Sequence, residues 1–389
     1  MLKNEKCIET NLDFILACCQ IKPDFLQVKD FLLREKMDLK KWDSLISLAY
    51  EHGVFPLFYI VITEVNNELD IIDESISEEL KRLYIQIVKK SMMMTSELVK
   101  LMKVIEEENI CALAFKGPVL SQIAYGNISL RQYVDLDILI RKEEIFKVER
   151  LLKNYGYEKL FKLTKNQEKK WLDDTHDIGF INKVKDIHCE VHWSFLDEDF
   201  PMQIELKPFF EETQLVKMPV SEVRTFSNEN LLYYLCIHGS KHLWERVEWL
   251  NDIDRLIRGY DINWNTIIDK ADKEGFAKMF YLGLALCNRY LDTPLPKPIL
   301  EHINKYNFFN TLIADIYNTW TKEYDVIEST RFIALLFPKK YQQISYIAKT
   351  IFKPTLNEYK IIDLPRSMYF GYYFIRLYLL IKKYFQKFV

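Results

Sequence analysis

Asp135 and Asp137 lie one residue apart in the apolar run YVDLDILI, residues 133–140. The alternation of this run predicts a β-strand, and alternate residues of a strand project from the same face. Two carboxylates held this close repel each other and resist joint ionisation unless a cation lies between them. The pair therefore predicts a divalent metal site. The same repulsion predicts that Asp137→Asn leaves the stability of the metal-free protein unchanged or raises it.

Glu190 is the candidate for a third carboxylate. It lies in the second strand of a predicted hairpin, DIGFIN and IHCEVHWSF, which the short turn KVKD connects. Three carboxylates on neighbouring strands suit Mg²⁺ or Mn²⁺, and a pair of such ions is a common device for in-line phosphoryl chemistry. We therefore expect Asp135, Asp137 and Glu190 to bind the metal and to be the catalytic residues.

A Lys-Gly-Pro turn, Lys116 to Pro118, opens the predicted helix that precedes the aspartate strand. The N-terminus of a helix offers unpaired backbone N–H groups to a phosphate, and Gly117 permits close approach. Because Pro118 removes one of those donors, phosphate binding would depend more on Lys116 or on later amides of the helix. Arg131, just before the aspartate strand, is the second candidate cation for a triphosphate.

His188 and His192 flank Glu190 at strand spacing, so all three are predicted to share one face. A zinc site of two histidines and one carboxylate is the alternative to the site for a hard metal. The aspartate pair favours the hard metal, and His192 is then expected to be a hydrogen-bond partner of a carboxylate.

A second group of polar and aromatic residues recurs at helical spacing further along the chain: His238, His242, Glu245, Trp249 and Asp252. Two histidines and a tryptophan favour a cleft over plain solvent for this stripe. His242 is therefore predicted to contact the nucleobase or the acceptor.

The elements that must position these residues are indicated by changes in hydrophobic period. Helical periodicity runs from residue 8 to about 108, a strand-turn-helix-strand unit and the hairpin follow, and helical patterns resume at Asn228. These patterns predict an α+β fold. A small core with a mixed sheet spans residues 96–215, between an N-terminal helical region (1–95) and a C-terminal helical domain (216–389).

Three segments in this order carry a family resemblance: FKGPVLSQIAYGNISLRQYVDLDILI from Phe115, then HCEVHW, then HGSKHLWERVEWLNDIDRLI. Together they resemble the bacterial nucleotidyltransferase-like family of the DNA polymerase β-type superfamily, over about residues 95–260. The resemblance implies a minimal nucleotidyltransferase fold, with Gly117 in the phosphate turn and His192 close to the metal ligands. Pro118 departs from the superfamily pattern, which prefers glycine or serine at that position.

The hypothesis that follows is a nucleotidyltransferase dependent on Mg²⁺ or Mn²⁺. It would transfer a nucleoside monophosphate from an NTP to a hydroxyl of a small molecule, sugar, peptide or protein, with release of pyrophosphate. The alternative is a non-catalytic nucleotide-binding or partner-docking protein that kept the same fold.

Charge is unevenly distributed along the chain, whose net charge is −3. Residues 331–389 carry eleven Lys and Arg against two acidic residues, so this segment is +9 and the remainder is −12. That balance argues against extensive nucleic-acid binding. The aromatic, basic tail over 366–389 predicts either a packed terminal helix or contact with a membrane surface or an acidic partner. Seven cysteines without a CxxC pair, and no secretory signal pattern, favour a cytoplasmic protein.

Overall fold

The computed structural model of the protein describes residues 8–35, 37–161, 163–321 and 326–387. Cys7, and Phe388 and Val389 at the end of the predicted contact tail, lie outside the described residues.

The N-terminal region is helical, as the periodicity predicts. It contains α1 (Asn11–Cys19), α2 (Phe25–Arg34), α3 (Leu39–Glu51), α4 (Phe55–Leu69) and α5 (Glu74–Glu107). The side chains of Thr10, Asp24 and Asp38 accept hydrogen bonds from backbone N–H groups in the first turns of α1, α2 and α3. These caps satisfy donors that a helix cannot pair internally.

The core that follows alternates short strands and helices. In chain order these are β1 (Leu113–Ala114), α6 (Gly117–Tyr125), β2 (Asp135–Leu139), α7 (Ile145–Asn154), β3 (Glu158–Lys159), α8 (Lys165–Asp174), β4 (Asp177–Asn182) and β5 (Ile187–His192). The five strands form one sheet in the order β1-β2-β5-β4-β3. Strands β2 and β5 are parallel, and the other neighbours are antiparallel. The α+β fold with a mixed sheet is therefore confirmed.

A second, two-stranded sheet follows a short helix and was not predicted from the sequence. Its elements are α9 (Lys207–Glu211), β6 (Thr213–Lys217) and β7 (Glu222–Phe226), and the two strands are antiparallel. The polar residues of β6 and β7 alternate weakly with apolar ones, so the hairpin gives little periodic signal.

Helices make up the rest of the described chain, as the patterns from Asn228 onward predict. They are α10 (Asn228–Lys241), α11 (Glu248–Gly259), α12 (Trp264–Glu274), α13 (Ala277–Leu291), α14 (Lys297–Asn304), α15 (Phe309–Thr319), α16 (Val326–Leu335), α17 (Lys340–Phe352), α18 (Leu356–Ile361) and α19 (Gly371–Lys387). Helix α5 runs across the predicted boundary between residues 95 and 96, and β6 runs across the boundary between 215 and 216. The division into three regions stays a prediction.

An aromatic cluster joins the sheet to α10 directly beneath the aspartate strand. The ring of Phe115 stacks on Phe226 at 5.2 Å and meets the edges of Tyr234 at 5.1 Å and Phe195 at 5.7 Å. It also contacts the imidazole of His192, with ring centroids 5.2 Å apart. Close packing of large rings holds the residues next to Phe115 in fixed positions.

The terminal helix α19 is held by polar contacts of Tyr372 and Arg376 and is exposed along one face. The buried hydroxyl of Tyr372 donates to the Ile362 carbonyl at 2.9 Å and accepts from the Gln167 side-chain amide at 3.2 Å. An apolar stripe on the same helix faces solvent: Tyr373, Phe374, Leu377, Tyr378 and Ile381. Within the described part of the chain, no helix has the length and apolar character needed to cross a membrane.

Candidate active site

Parallel pairing of β2 with β5 brings the predicted carboxylates together. Asp137 is directly opposite Glu190 in the register, and Asp135 is opposite His188. Because side chains alternate along both strands, Asp135, Asp137, Glu190 and His192 all project from the same face of the sheet. The sheet therefore places Asp137 beside Glu190, on the neighbouring strand that the sequence predicted.

Asp137 is the most buried carboxylate of this group, with 2 % of its surface exposed. Its Oδ1 accepts from Lys116 Nζ at 3.3 Å and lies 3.2 Å from His192 Nε2. Its Oδ2 is buried and has no hydrogen-bond partner among the described residues. Burial by itself would raise the pKa of Asp137, but Lys116 and His192 outweigh it and lower the pKa to about 2.

His192 links the two central carboxylates. It lies 3.2 Å from Asp137 Oδ1 and 3.5 Å from Glu190 Oε2. Burial opposes its protonation, but the two carboxylates raise the pKa of His192 to about 9. The hydrogen bond from His192 in turn lowers the pKa of Glu190. In the metal-free protein this histidine is therefore a cation between two anions.

Asp137, Glu190 and His192 each offer one ligand atom, and these atoms all lie within 4.8 Å of one another. The sequence predicted a metal site of Asp135, Asp137 and Glu190, so the compact cluster contains His192 in the place of Asp135. The pKa of Asp135 is raised to about 7: burial is the largest cause, and repulsion from Asp137 is the next. Asp135 is the member of the aspartate pair that holds a proton near neutral pH.

The Lys116–Pro118 turn, which was predicted to bind phosphate, lies against the same strand. Gly117 begins α6 with a φ of +52°, and a Cβ there would lie 3.0 Å from the Asp135 carbonyl oxygen. Both the left-handed conformation and the close approach require glycine. Lys116, at the N-cap, directs its ammonium group to Asp137, and the attraction of Asp137 and neighbouring groups raises the pKa of Lys116 despite its burial.

Arg131 is placed in a buried ion pair next to the site. Its Nε lies 3.0 Å from both carboxylate oxygens of Asp252, and its guanidinium is 3.8 Å from Glu248. The Tyr125 hydroxyl donates to the same Asp252 at 3.0 Å. These contacts occupy the guanidinium with protein carboxylates, and binding of a triphosphate by Arg131 stays a prediction.

The predicted stripe that includes His242 does not run along one helix. Helix α10 ends at Lys241, Leu243 and Trp244 have positive φ, and α11 begins only at Glu248. Trp244 causes the break because its indole fills the space beside Gly239 and Gly283, where added Cβ atoms would lie 2.5 Å and 2.9 Å from the ring.

The break changes the neighbours of His242. Trp249 of α11 folds back against α10, with its ring 5.9 Å from that of His242 and 5.2 Å from that of His238. Burial lowers the pKa of His242 to about 3, so it is neutral. Contact of His242 with the nucleobase or acceptor stays a prediction.

Sequence reasoning missed a polar group that adjoins the carboxylates. Asp197 Oδ1 accepts a hydrogen bond from His176 Nδ1 at 2.6 Å, and Lys241 Nζ lies 3.2 Å from His176 Nε2. Its ring is 6.1 Å from that of His192. The only sequence signal was position: His176 immediately precedes the β4 strand, and Lys241 lies within the HGSKH segment.

Comparison with known proteins agrees with this geometry. A sequence profile described as "Uncharacterised nucleotidyltransferase" matches residues 38–292, well over half of the chain. The chain belongs to this family of uncharacterised nucleotidyltransferases. Family membership supports nucleotide transfer in general, and it extends the predicted resemblance over 95–260 towards the N-terminus. No curated protein matches the chain.

Two solved structures are similar to the chain at low identity. One is the antibiotic-resistance factor ANT(2'')-Ia, at 14 % identity over 55 % of this chain and 100 % of that one, with a TM-score of 0.30. The other is an antigenic nucleotidyltransferase-like protein from Paracoccidioides brasiliensis, at 14 % identity over 56 % and 92 % of the two chains, with a TM-score of 0.33.

Proposed function

We propose that this member of the nucleotidyltransferase family transfers a nucleoside monophosphate from an NTP to an acceptor hydroxyl and releases pyrophosphate. One observation carries the proposal. Among the residues that the structure describes, Asp137 Oδ2 is buried without a hydrogen-bond partner, in a carboxylate that lies opposite Glu190 and is paired with Lys116 at the N-cap of α6. A buried carboxylate oxygen left unpaired is costly, and a bound cation would satisfy it.

The residues present fit a hard divalent cation. Asp137 and Glu190 would hold Mg²⁺ or Mn²⁺, and Asp135, two residues from Asp137 on the same face, would join them on losing its proton. Because oxygen ligands suit these ions, we assign His192 to the hydrogen bond that orients Asp137. The bound ion would neutralise charge that develops on the phosphate oxygens.

The remaining residues have separable roles in the proposed transfer. Backbone N–H groups at the start of α6 and the Lys116 ammonium bind the triphosphate. Glu190, whose side chain is 36 % exposed, takes the proton of the acceptor hydroxyl. The hydroxyl oxygen then forms a bond to the α-phosphorus as the bond to the bridging oxygen breaks, and pyrophosphate leaves with that electron pair.

The test is pyrophosphate release from ATP and the other NTPs, with Mg²⁺ or Mn²⁺, in the presence and absence of candidate acceptors. Mass spectrometry of the purified protein and its cellular partners should find additions of the mass of a nucleoside monophosphate. Asp137→Asn should abolish both signals. Transfer that persists in this variant would contradict the assigned metal site.

The alternative is a non-catalytic protein that binds a nucleotide and docks on a partner. The exposed apolar stripe of α19 favours a role for this helix as the contact surface. Phe374 is 67 % exposed and Tyr378 is 64 % exposed, in a segment with a strong excess of Lys and Arg. Apolar side chains bordered by cations suit the surface of an anionic membrane. We propose such a contact for residues 366–389.

Sedimentation with lipid vesicles tests this contact. The protein should sediment with vesicles that contain phosphatidylserine and not with phosphatidylcholine alone. Leu377→Glu in the stripe should reduce binding, whereas Leu33→Glu on α2, an exposed leucine distant in sequence, should not. Equal effects of the two variants would contradict a membrane contact through α19.

A further inference from the structure

A cavity of about 350 Å³ lies between α8, the loop that follows β5, the end of α10 and helices α17 and α18. Its walls combine aromatic rings with charged groups, including Trp171, Tyr346 and Tyr359. A volume of this order holds a small molecule, and a wall of rings with a few polar groups is typical of a ligand site.

A short chain of side chains connects this cavity to the proposed site of transfer. Lys241 lines the cavity, and its Nζ lies 3.2 Å from His176 Nε2. The ring of His176 is 6.1 Å from that of His192, which contacts Asp137 and Glu190. Lys241, His176 and His192 therefore link the cavity to Asp137 and Glu190.

The cavity lining contains three lysines and three aspartates, and each of the aspartates is paired with a lysine. Lys353 is paired with Asp197 at 3.2 Å and with Asp199 at 2.8 Å. The third lining carboxylate, Asp174, is paired with Lys170, which lies outside the lining. All three carboxylates of the cavity are thus already engaged by cations.

Two further lysines of the cavity form no ion pair with a carboxylate in the described part of the chain. Lys241 contacts His176 and the Phe195 carbonyl, and Lys349 donates to the main-chain oxygen of Asp199 at 2.7 Å. Burial lowers the pKa of Lys241, so an anion beside it would stabilise its charged form. The buried Nε1 of Trp171 likewise has no acceptor among the described residues.

We propose that this cavity binds the acceptor, and that the acceptor is a small hydroxylated molecule with a carboxylate or phosphate group. Lys349 and Lys241 bind the oxyanion, and the aromatic wall packs against the carbon skeleton. A hydroxyl of the same molecule faces the carboxylates and is the group that attacks the α-phosphorus. The proposal rests on the proposed function, and it gives helices α17 and α18 a part in substrate binding.

Binding and transfer are measured separately on the full chain. Isothermal titration without NTP uses three probes: gluconate and glucose 6-phosphate as the two oxyanion classes, and glucose as the neutral match. Either anion should bind and glucose should not. Lys349→Gln should weaken that binding at least about tenfold, the loss typical of one charged contact. Lys360→Gln, which removes an exposed lysine of α18 outside the cavity, should leave it unchanged.

The outcomes distinguish this proposal from the proposed function. Anion binding that depends on Lys349 supports the cavity as an anion site, and it contradicts the transferase only if no NTP releases pyrophosphate and no nucleotide addition is found by mass spectrometry. Transfer to an acceptor with equal efficiency in wild type and Lys349→Gln overturns the acceptor cavity while the transferase stands. The proposal is also overturned if neither anion binds, or if Lys349→Gln weakens binding of the NTP instead.

Discussion

Asp135→Asn should stabilise the metal-free protein at alkaline pH, whereas the same change at Asp137 should destabilise it. The two residues are on one face of β2, and each loses a negative charge with almost no change of shape. Their surroundings differ: Asp137 accepts from Lys116 and contacts His192, while Asp135 is repelled by Asp137 and Glu190. The pair therefore tests whether these contacts determine the energetics of the site.

The sign for Asp135 follows from its raised pKa. Burial and the charge of Asp137 raise it from 3.8 to about 7, so the folded protein holds this proton more tightly than the unfolded chain does. Stability then falls as the pH rises from about 4 to about 7, and the loss is complete above that range. The full shift corresponds to about 4 kcal/mol, and contact with water reduces the expected gain in Asp135→Asn to roughly 1–3 kcal/mol at about pH 8.5.

Asp137 has the opposite sign. Its pKa is lowered to about 2, because the effects of Lys116 and His192 outweigh that of burial. The charge of Asp137 therefore stabilises the fold above the unfolded pKa of about 3.9. This contribution is lost only as the pH falls towards 2. Asparagine in its place leaves two buried cations without their common anion. Breaking a buried ion pair in this way costs about 3–5 kcal/mol, both at about pH 5 and at about pH 8.5.

Urea unfolding followed by circular dichroism, in EDTA at about pH 5 and about pH 8.5, measures both effects against wild type at each pH. Asp43→Asn, at an exposed position of α3, is the control and should change stability by less than about 0.5 kcal/mol. At about pH 5 Asp135→Asn should be nearly neutral, because the wild-type carboxyl is already protonated. A destabilising Asp135→Asn at the higher pH, or a neutral Asp137→Asn, would refute the reasoning.

Three further predictions concern single contacts of the site. Glu190→Gln should lower single-turnover pyrophosphate release about 10²–10⁴-fold with little change in NTP affinity by titration, and near-normal release would remove Glu190 as the base. Gly117→Ala should lower stability by about 1–3 kcal/mol in thermal unfolding. The control is Gly126→Ala, which should cost less because Gly126 also has a left-handed φ but lies in open space. Equal losses would contradict the close approach of Gly117 to β2. Arg131→Met should lower the free energy of unfolding in urea by about 3–5 kcal/mol, because it leaves the buried Asp252 without its cation. Adding Asp252→Asn should recover part of that loss. No recovery would show that the two residues are not coupled.

Much of the fold could be predicted because its signals are local. The change from helical to alternating period marked β2, the hairpin of β4 and β5, and the helices on both sides of the core. Gly117, the first residue of α6, was identified from its neighbours in sequence alone, and its positive φ is the conformation that its close approach to β2 requires. The strand of the strand-turn-helix-strand unit that precedes α6 was also predicted and is β1, whereas the short strand β3 and the hairpin of β6 and β7 gave too few alternating residues to be assigned.

The surroundings of the aspartate pair show what sequence reasoning could not decide. The sequence predicted repulsion between Asp135 and Asp137, and it predicted that neutralising Asp137 would not lower stability. In the fold, Lys116 and His192 contact Asp137. We therefore expect a gain in stability when Asp135 is neutralised, and a loss when Asp137 is. Spacing of two residues on a strand defines a shared face, and it carries no information on which of the two carboxylates will meet a cation.

The sequence by itself determined the chemistry available at the site: two carboxylates on one strand, a third on the hairpin, and a glycine turn before a helix. Only the tertiary structure decided how these groups are partnered. Arg131 is paired with Asp252, 121 residues away, and the stripe through His242 is divided because Trp244 must fit between two helices. The physical reason is that hydrophobic period and turn chemistry act over a few residues, whereas ion pairs and close packing depend on which distant surfaces meet.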